Sequence, residues 1–388
     1  AELDQIIGLY THGQLEKTVS LAEGLAKKYP KALILYEILG AAYLGLKNTD
    51  KTIESYQKAL HLNPDHTDAY NNMGLVLYDQ CRFDEAIESY KKAVSLEPSF
   101  ADAHYNLGNA LNQAGYLKQA IESYKTSLAI NPNDSELLFR YGNALKNNDE
   151  LALAKNLYEK ALELNPDLAE AKHQLFSITG QTPNSAPRKY VENLFDVYAS
   201  KFDRSLLGNL AYNVPKELTK IIISKQPEGS LGSILDLGCG TGLAGMELSN
   251  LCGRLDGVDL SKFMVKQAKE KSIYDQLIHD DIVDYLSAAD LNYNYFVATD
   301  VFIYLGELSE VFKLIKSRNK RSGKLAFSTE HNEVENYFLE ISGRFSHSKQ
   351  YIEKLCDKFD YRVSHFSKTN LRKEKDAFLT GGLYLLDF

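Results

Sequence analysis

Five prolines, Pro30, Pro64, Pro98, Pro132 and Pro166, stand 34 residues apart without a slip. Three more columns keep step: Gly40, Gly74, Gly108 and Gly142; Tyr56, Tyr90, Tyr124 and Tyr158; and Ala86, Ala120 and Ala154. Registered columns of this kind confine the first half of the chain to a stack of near-identical units, because one such unit can bury its apolar face only against a neighbour. Within a unit, 68–80 (DAYNNMGLVLYDQ) and 84–96 (DEAIESYKKAVSL) carry apolar residues at helical spacing, so each unit reads as two amphipathic helices. The Gly and Ala columns let the helices approach closely, and Tyr is expected to fill the layer between units. The prolines end each second helix and open the next unit.

This pattern resembles the tetratricopeptide (TPR) repeat, with four full units over 32–167 and a partial unit over 1–31. The partial unit lacks its first turn and the chain lacks an initiator Met, which suggests a longer, trimmed native chain. The resemblance implies an all-α solenoid whose first helices line a concave face. Asn72 and Asn106 share one register on those helices, and Asn109 and Asn143 share another. A carboxamide both donates and accepts, so such a ladder can hold an extended peptide regardless of its sequence. The resemblance therefore implies a peptide or protein partner. The alternative is that these are polar residues tolerated on a solvated face, in repeats that are only architectural or dimerising.

Charge narrows the partners further. The chain carries Lys+Arg 44 against Asp+Glu 52, a net charge of −8. Residues 1–182 account for −7 and residues 183–388 for −1, so a bulk electrostatic grip on nucleic acid is excluded and a partner of the first half should be neutral or basic. No stretch approaches the roughly 18 apolar residues of a membrane helix, and AELDQIIGLY does not read as a secretory signal, so no membrane partner is expected. Cys81, Cys239, Cys252 and Cys356 show no C-x-x-C spacing, which points to reduced thiols in a cytoplasmic protein without a metal site.

After Pro166 the helical phase continues to about residue 180 as a capping helix, and QTPNSAP (181–187) reads as a linker. The expected organisation is therefore a solenoid over 1–180 and a second domain over 188–388. Helical stretches at 189–203 and 214–224 precede a change of pattern at 233, where short apolar runs alternate with helical segments. Strands are expected at 233–237, 254–259, 275–279, 295–299, 324–329, 361–366 and 378–386. The last two have no helical pattern between them and should form a hairpin. The expectation is a Rossmann-like α/β domain with a seven-stranded, doubly wound sheet.

The first turn of that sheet carries the most specific signal. Leu235-Asp236-Leu237-Gly238-Cys239-Gly240-Thr241-Gly242 follows an apolar strand and opens a helix. Its glycines are spaced G-x-G-x-G, not the dinucleotide G-x-G-x-x-G, and an acidic residue stands two before the first. Asp259 ends the second strand, Asp280-Asp281 the third and Thr299-Asp300 the fourth. The series resembles the class I S-adenosyl-L-methionine (SAM) methyltransferases. That resemblance implies SAM as cofactor, bound by Asp236, Gly238, Gly240, Gly242, Asp259, Leu260, Met264, Asp281, Ile282 and Thr299. It also implies a lid in which Tyr198 and Phe202 cover the methionine end. The flanks SITGQTPNSAPRKYVENLFDVYASKFDRSLLGNLAYNVP (177–215) and RFSHSKQYIEKL with LRKE (344–374) look like a methyltransferase family that often carries TPR repeats. The loop NKRSG (319–323) departs from the usual Pro-Gly-Gly turn, with a local effect expected.

Methyl transfer needs alignment and no obligatory nucleophile. His331 and His347 are the candidates for a base, and Arg344, Tyr351 and Arg372 for substrate contact. The rival roles are structural histidines and salt bridges. The leading expectation is a SAM-dependent methyltransferase whose acceptor is a small molecule or a protein. A SAM-binding scaffold without turnover, and a small-metabolite enzyme whose repeats only support the fold, stay open.

Overall fold

The computed structural model describes residues 2–199, 202–204, 206, 208, 212–226, 229–374 and 377–388. The chain divides into two compact units, Ala1–Leu168 and Ala169–Phe388.

The first unit consists of five helix pairs: α1 (Glu2–Thr11) with α2 (Leu15–Lys28), α3 (Leu33–Gly45) with α4 (Thr49–Leu62), α5 (Thr67–Asp79) with α6 (Phe83–Leu96), α7 (Ala101–Gln113) with α8 (Leu117–Ile130), and α9 (Ser135–Asn147) with α10 (Leu151–Leu164). Each column has a steric cause. A Cβ added at Gly40, Gly74, Gly108 or Gly142 would lie 2.6–2.7 Å from the ring of Tyr56, Tyr90, Tyr124 or Tyr158, respectively. The tyrosine therefore fills the interior of its own pair, where the expectation placed it between units. Its far edge still reaches onward, and the Tyr124 and Tyr141 centroids are 6.2 Å apart. Ala86, Ala120 and Ala154 are fully buried.

The second unit begins one helix earlier than expected. Helix α11 (Ala169–Thr179) belongs to it. His173 is buried, with Nε2 2.9 Å from the Gly343 carbonyl, and Gln174 Nε2 donates to the Tyr190 hydroxyl at 3.2 Å. The expected linker is pinned as well. Ala186 N–H donates to Tyr304 O, Gly306 N–H to Asn184 O, and Ser185 bridges Leu305. The boundary thus lies at 168/169, because the capping helix and the segment after it find their hydrogen bonds in the second unit.

Next come α12 (Arg188–Tyr198), the short α13 (Phe202–Arg204) and α14 (Val214–Ser224). The sheet then alternates with helices: β1 (Ser233–Leu237), α15 (Leu243–Leu248), β2 (Arg254–Asp259), α16 (Lys262–Glu270), β3 (Gln276–His279), α17 (Ile282–Ala288), β4 (Tyr295–Ala298), α18 (Ser309–Arg318) and β5 (Lys324–Asn332). A hairpin, β6 (Tyr337–Leu339) and β7 (Phe345–Ser348), leads to α19 (Lys349–Phe359) and the long pair β8 (Arg362–Glu374) and β9 (Ala377–Asp387). Parallel strands run in the order β3-β2-β1-β4-β5. Strand β9 pairs antiparallel with β5 and with β8, the expected final hairpin. Strands β6 and β7 were not expected. Strand β7 pairs with residues 330–332, where β5 overruns its expected end.

Apolar side chains cover both faces of the sheet, with Phe296, Phe312 and Phe327 in one layer and Ile234, Val297 and Leu385 in the other. In the loop 319–323, the Asn319 side chain stands in for a tighter turn by accepting from Tyr293 N–H at 2.9 Å and donating to Tyr293 O at 3.0 Å. Among the described residues, no helix is long and apolar enough to cross a membrane.

The Gly–Tyr contact sets the first test. In an open helix Gly→Ala gains about 1 kcal/mol, but overpacking costs roughly 1–3 kcal/mol. Gly108→Ala should therefore lower stability by about 1–2 kcal/mol in urea unfolding. A gain in stability would show that Tyr124 yields freely.

Candidate functional site

Parallel strands bring the ends of β1, β2, β3 and β4 to one edge of the sheet, and a crevice of about 660 Å³ opens there. This is the size of an ordinary small-molecule site and the position where doubly wound sheets bind ligands.

The loop after β1 turns at Gly238, Gly240 and Gly242, with φ of +66°, +54° and +91°. At Gly240 an added Cβ would meet Phe202 only at 3.9 Å, so its bulk would fall in the crevice. Asp259, at the end of β2, fastens this loop. Its Oδ2 accepts from Gly240 N–H and its Oδ1 from Ser261 N–H, both at 2.8 Å. Burial pushes its pKa up to about 6, against the pull of those two donors. Each oxygen keeps a further acceptor position. Ser261 caps α16 by accepting from Met264 N–H, and its hydroxyl donates to Asp196 of α12 at 2.6 Å. Asp281 caps α17, accepting from Val283 N–H at 2.8 Å.

Helices α12 and α13 are pinned across these strand ends. Thr241 Oγ1 donates to Asp203, whose other oxygen pairs with Lys271 at 2.7 Å. Arg188 donates to Asp284 at 2.6 Å. Phe195 and Phe202 line the crevice from these helices, and Phe195 meets Tyr304 edge-on with centroids 5.3 Å apart.

Among the expected residues, Phe202, Gly238, Gly240, Asp259, Leu260, Met264, Asp281, Ile282, Thr299, Arg344 and Arg372 line this crevice. Gly242 and Asp236 do not. Asp236 is fully buried below the glycine loop, where Tyr274 OH donates to Oδ2 at 2.7 Å and Oδ1 finds no donor among the described residues. The side chain of Tyr198 lies outside the described residues.

The two histidines stand elsewhere, side by side in register on β5 and β7. His331 packs on Phe366, with Nε2 3.6 Å from Glu333. His347 is fully buried with Nε2 2.9 Å from Gly306 O, and burial pushes its pKa down to about 4. Neither lines the crevice, so the sequence expectation of a histidine base is not met. Tyr351 is also placed as a support, donating to Glu307 at 2.9 Å and accepting from Leu308 N–H at 2.8 Å.

Arg344 and Arg372 do line the crevice, but each already faces carboxylates. Arg372 donates to Asp300 at 2.6 Å and to Glu330, which also accepts from Arg344. Glu330 is 3% exposed, and its burial raises its pKa against the pull of both guanidinium groups. Sequence reasoning did not find Arg188, Tyr212, Val301 or Glu307 on the crevice wall, or Tyr274 beneath the loop. For the first four, only the flanking motif at 177–215 and the segment after β4 offered a signal.

In the first unit the four asparagines are half-buried and engaged. Asn109 Oδ1 accepts from Tyr124 OH at 2.8 Å, and Asn143 Oδ1 from Tyr158 OH at 2.7 Å. Asn106 Nδ2 donates to Asn71 Oδ1 at 3.0 Å, and Asn72 pulls the Tyr56 hydroxyl pKa down against the rise from its burial.

Comparison with known proteins accords with this division. A methyltransferase-domain model matches residues 234–323, and TPR-repeat models match 40–80, 76–115, 101–134 and 135–168. The protein named "Uncharacterized methyltransferase C70.08c" of Schizosaccharomyces pombe is 46% identical over 57 residues, 15% of this chain. The match spans only 22% of that relative's length. Among solved structures, MamA (TM-score 0.40, 24% identity) is matched over 42% of this chain and 95% of its own. YrrB, described as a TPR protein with an unusual peptide-binding site, gives 0.41 and 19% over 44% and 89%.

Burial of His347 has a pH signature. Its folded pKa of about 4 lies below the unfolded value of about 6.5, so its contribution to stability is complete above pH 6.5 and is lost as pH falls toward 4. His347→Gln should remove up to about 3 kcal/mol of that acid-side decline in chemical denaturation. Parallel pH curves for variant and wild type would show that the imidazole does not pay this penalty.

Proposed function

For a chain that joins TPR repeats to a methyltransferase domain, we propose transfer of a methyl group from SAM to an acceptor held in the crevice of the second unit. The observation that supports this most is Asp259, a buried carboxylate at the β2 end that keeps acceptor positions beside an open glycine turn. The residues present fit the group. The Asp259 oxygens would take the two ribose hydroxyls, Asp281 the adenine amino group, and Thr299 with Gly238 and Gly240 the methionine end. SAM, when bound, supplies an already activated methyl on its sulfonium.

What this chain contributes is alignment and exclusion of water. Phe195, Phe202 and Tyr304 form an apolar wall on the crevice, and the ion network Asp300–Arg372–Glu330–Arg344 stiffens the polar part of the lining, to which it contributes Asp300, Arg344 and Arg372. Holding donor and acceptor in line can supply an effective molarity on the order of 10⁵–10⁸ M without a base. The two histidines are not part of this reading.

The solenoid would recruit a protein or peptide, with the acidity of residues 1–182 favouring a neutral or basic one. Since Asn109 and Asn143 spend their carbonyls on tyrosines, Asn72 and Asn106 are left as the better candidates, each through the part of the carboxamide not already bonded. A peptide library panned against the full chain and against Asn72→Ala/Asn106→Ala should give ligands that the double variant loses.

Calorimetry tests the central claim. Asp259→Ala should weaken SAM binding by about 10- to 100-fold, from the loss of hydrogen bonds to a charged acceptor. Unchanged affinity would remove Asp259 from the site, and methyl-labelled SAM that leaves no label on any acceptor in a fractionated extract would argue against turnover.

A further inference from the structure

The ring of Tyr274, just before β3, is surrounded by glycines. A Cβ added at Gly245 of α15 would lie 2.4 Å from its hydroxyl oxygen, and one at Gly242 or Gly257 would lie 3.1 or 3.0 Å from its ring. These glycines come from three places, the end of the glycine turn, the helix after it, and strand β2. Only Gly242 has the left-handed backbone that by itself calls for glycine. At Gly245 and Gly257 the missing side chain makes room for the tyrosine.

That room leads the hydroxyl to one acceptor. Tyr274 OH donates to Asp236 Oδ2 at 2.7 Å, on a carboxylate that is fully buried and whose Oδ1 has no donor among the described residues. Asp236 lies on β1 directly before the Gly238 turn, opposite Gly257 in register. We propose that Tyr274 is a positioning residue of the cofactor loop: it holds the Asp236 carboxylate in place beneath the crevice, so that its negative charge, without lining the crevice itself, favours the positively charged end of the bound cofactor. The inference rests on the SAM reading above.

Tyr274 contacts Asp236 directly, and the other titratable groups within electrostatic reach of it are Asp259 of β2, the Cys239 thiol in the loop and Tyr212 before α14. Burial pushes the Asp236 pKa up to about 7, the Tyr274 hydroxyl pulls it down, and Asp259 pushes it up. Loss of the hydroxyl raises it further. A cationic ligand favours the ionised carboxylate, so binding strengthens as pH rises through that pKa and the Tyr274→Phe curve lies at higher pH.

The probe is S-adenosylhomocysteine, which keeps the ammonium group, titrated calorimetrically into the full chain from pH 6 to 9. Tyr274→Phe should bind about tenfold more weakly at pH 7 and recover to within about twofold at pH 9. Gly245→Ala, which displaces the hydroxyl, should weaken binding in the same sense. Asp236→Asn should be weak at every pH. A Tyr274→Phe curve that overlays the wild type at each pH overturns the proposal and leaves the SAM reading standing. Failure of the wild type to bind overturns both.

A second readout needs no ligand. The raised folded pKa means that the Asp236 contribution to stability falls as pH rises from about 4 to 7 and then levels, opposite in sign to that of His347. In thermal unfolding, the deficit of Tyr274→Phe should widen above pH 7, and wild type should lose stability relative to Asp236→Asn as pH rises from about 4 to 7. A constant deficit for Tyr274→Phe would reduce the tyrosine to a packing role.

Discussion

One buried carboxylate joins the parts of the crevice. Strands β1 and β2 run parallel in register, so the turn after one and the helix start after the other lie side by side. Both would leave backbone N–H groups without partners at a semi-buried edge, which is costly. Asp259 answers for one on each side, Gly240 and Ser261. The charge this leaves out of water raises its pKa to about 6, so the joint is held under electrostatic tension that an additional donor would relieve. The covering helices attach at the same two points, Asp203 to Thr241 in the turn and Asp196 to Ser261 at the α16 cap. Loop, helix start and cover thus depend on one another through a handful of hydrogen bonds.

The solenoid rests on a simpler constraint, the absence of four side chains. Where Gly40, Gly74, Gly108 and Gly142 open a gap, a tyrosine enters to within a distance that no Cβ would permit. Such columns are legible in a sequence because sterics repeat whenever the unit repeats. The asparagines were less legible for the opposite reason. A carboxamide on the same register can face solvent or turn inward, and the choice depends on what stands opposite. Asn109 and Asn143 turn to the hydroxyls of Tyr124 and Tyr158, whereas the equivalent position facing Tyr90 is Leu75. The register was read correctly, but it could not say which atoms would remain for a ligand.

The same contrast runs through the second unit. The parallel strands announced themselves by short apolar runs, and four of the five fall within a residue of expectation, while β5 overruns to Asn332. Strands β6 and β7 did not, because YFL is only three residues long and FSHS is short and polar, too little to show a period. That omission explains the misplaced histidines. Once β7 lies beside the end of β5, His331 and His347 pair in register and pack among Phe366, Tyr337 and Tyr351, not on the crevice. The segment 181–187 looked like a linker from its prolines, yet its backbone partners, Tyr304 and the loop after it, lie more than a hundred residues away. Local composition carries no trace of a bond made at that distance.

The arginines show how a correct location can carry a different role. Arg344 and Arg372 reach the crevice wall, as a clamp for an anionic acceptor would require. Each, however, is already engaged with Glu330, and Arg372 also with Asp300, in a setting where Arg372 and Glu330 are nearly inaccessible. An incoming carboxylate or phosphate would have to displace one of these carboxylates, and stripping a buried charge of its partner costs about 3–5 kcal/mol. Asp300 holds φ = +56° at the end of β4, a conformation a non-glycine residue keeps only when its surroundings fix it. Arg372 and Ser328 supply that fixation, from β8 and β5. The third guanidinium on the wall, Arg188, is likewise held by Asp284. The wall therefore presents an entering group with oriented hydrogen-bonding edges and little net positive charge, and its arginines act first to keep the ends of β4, β5 and β8 in place.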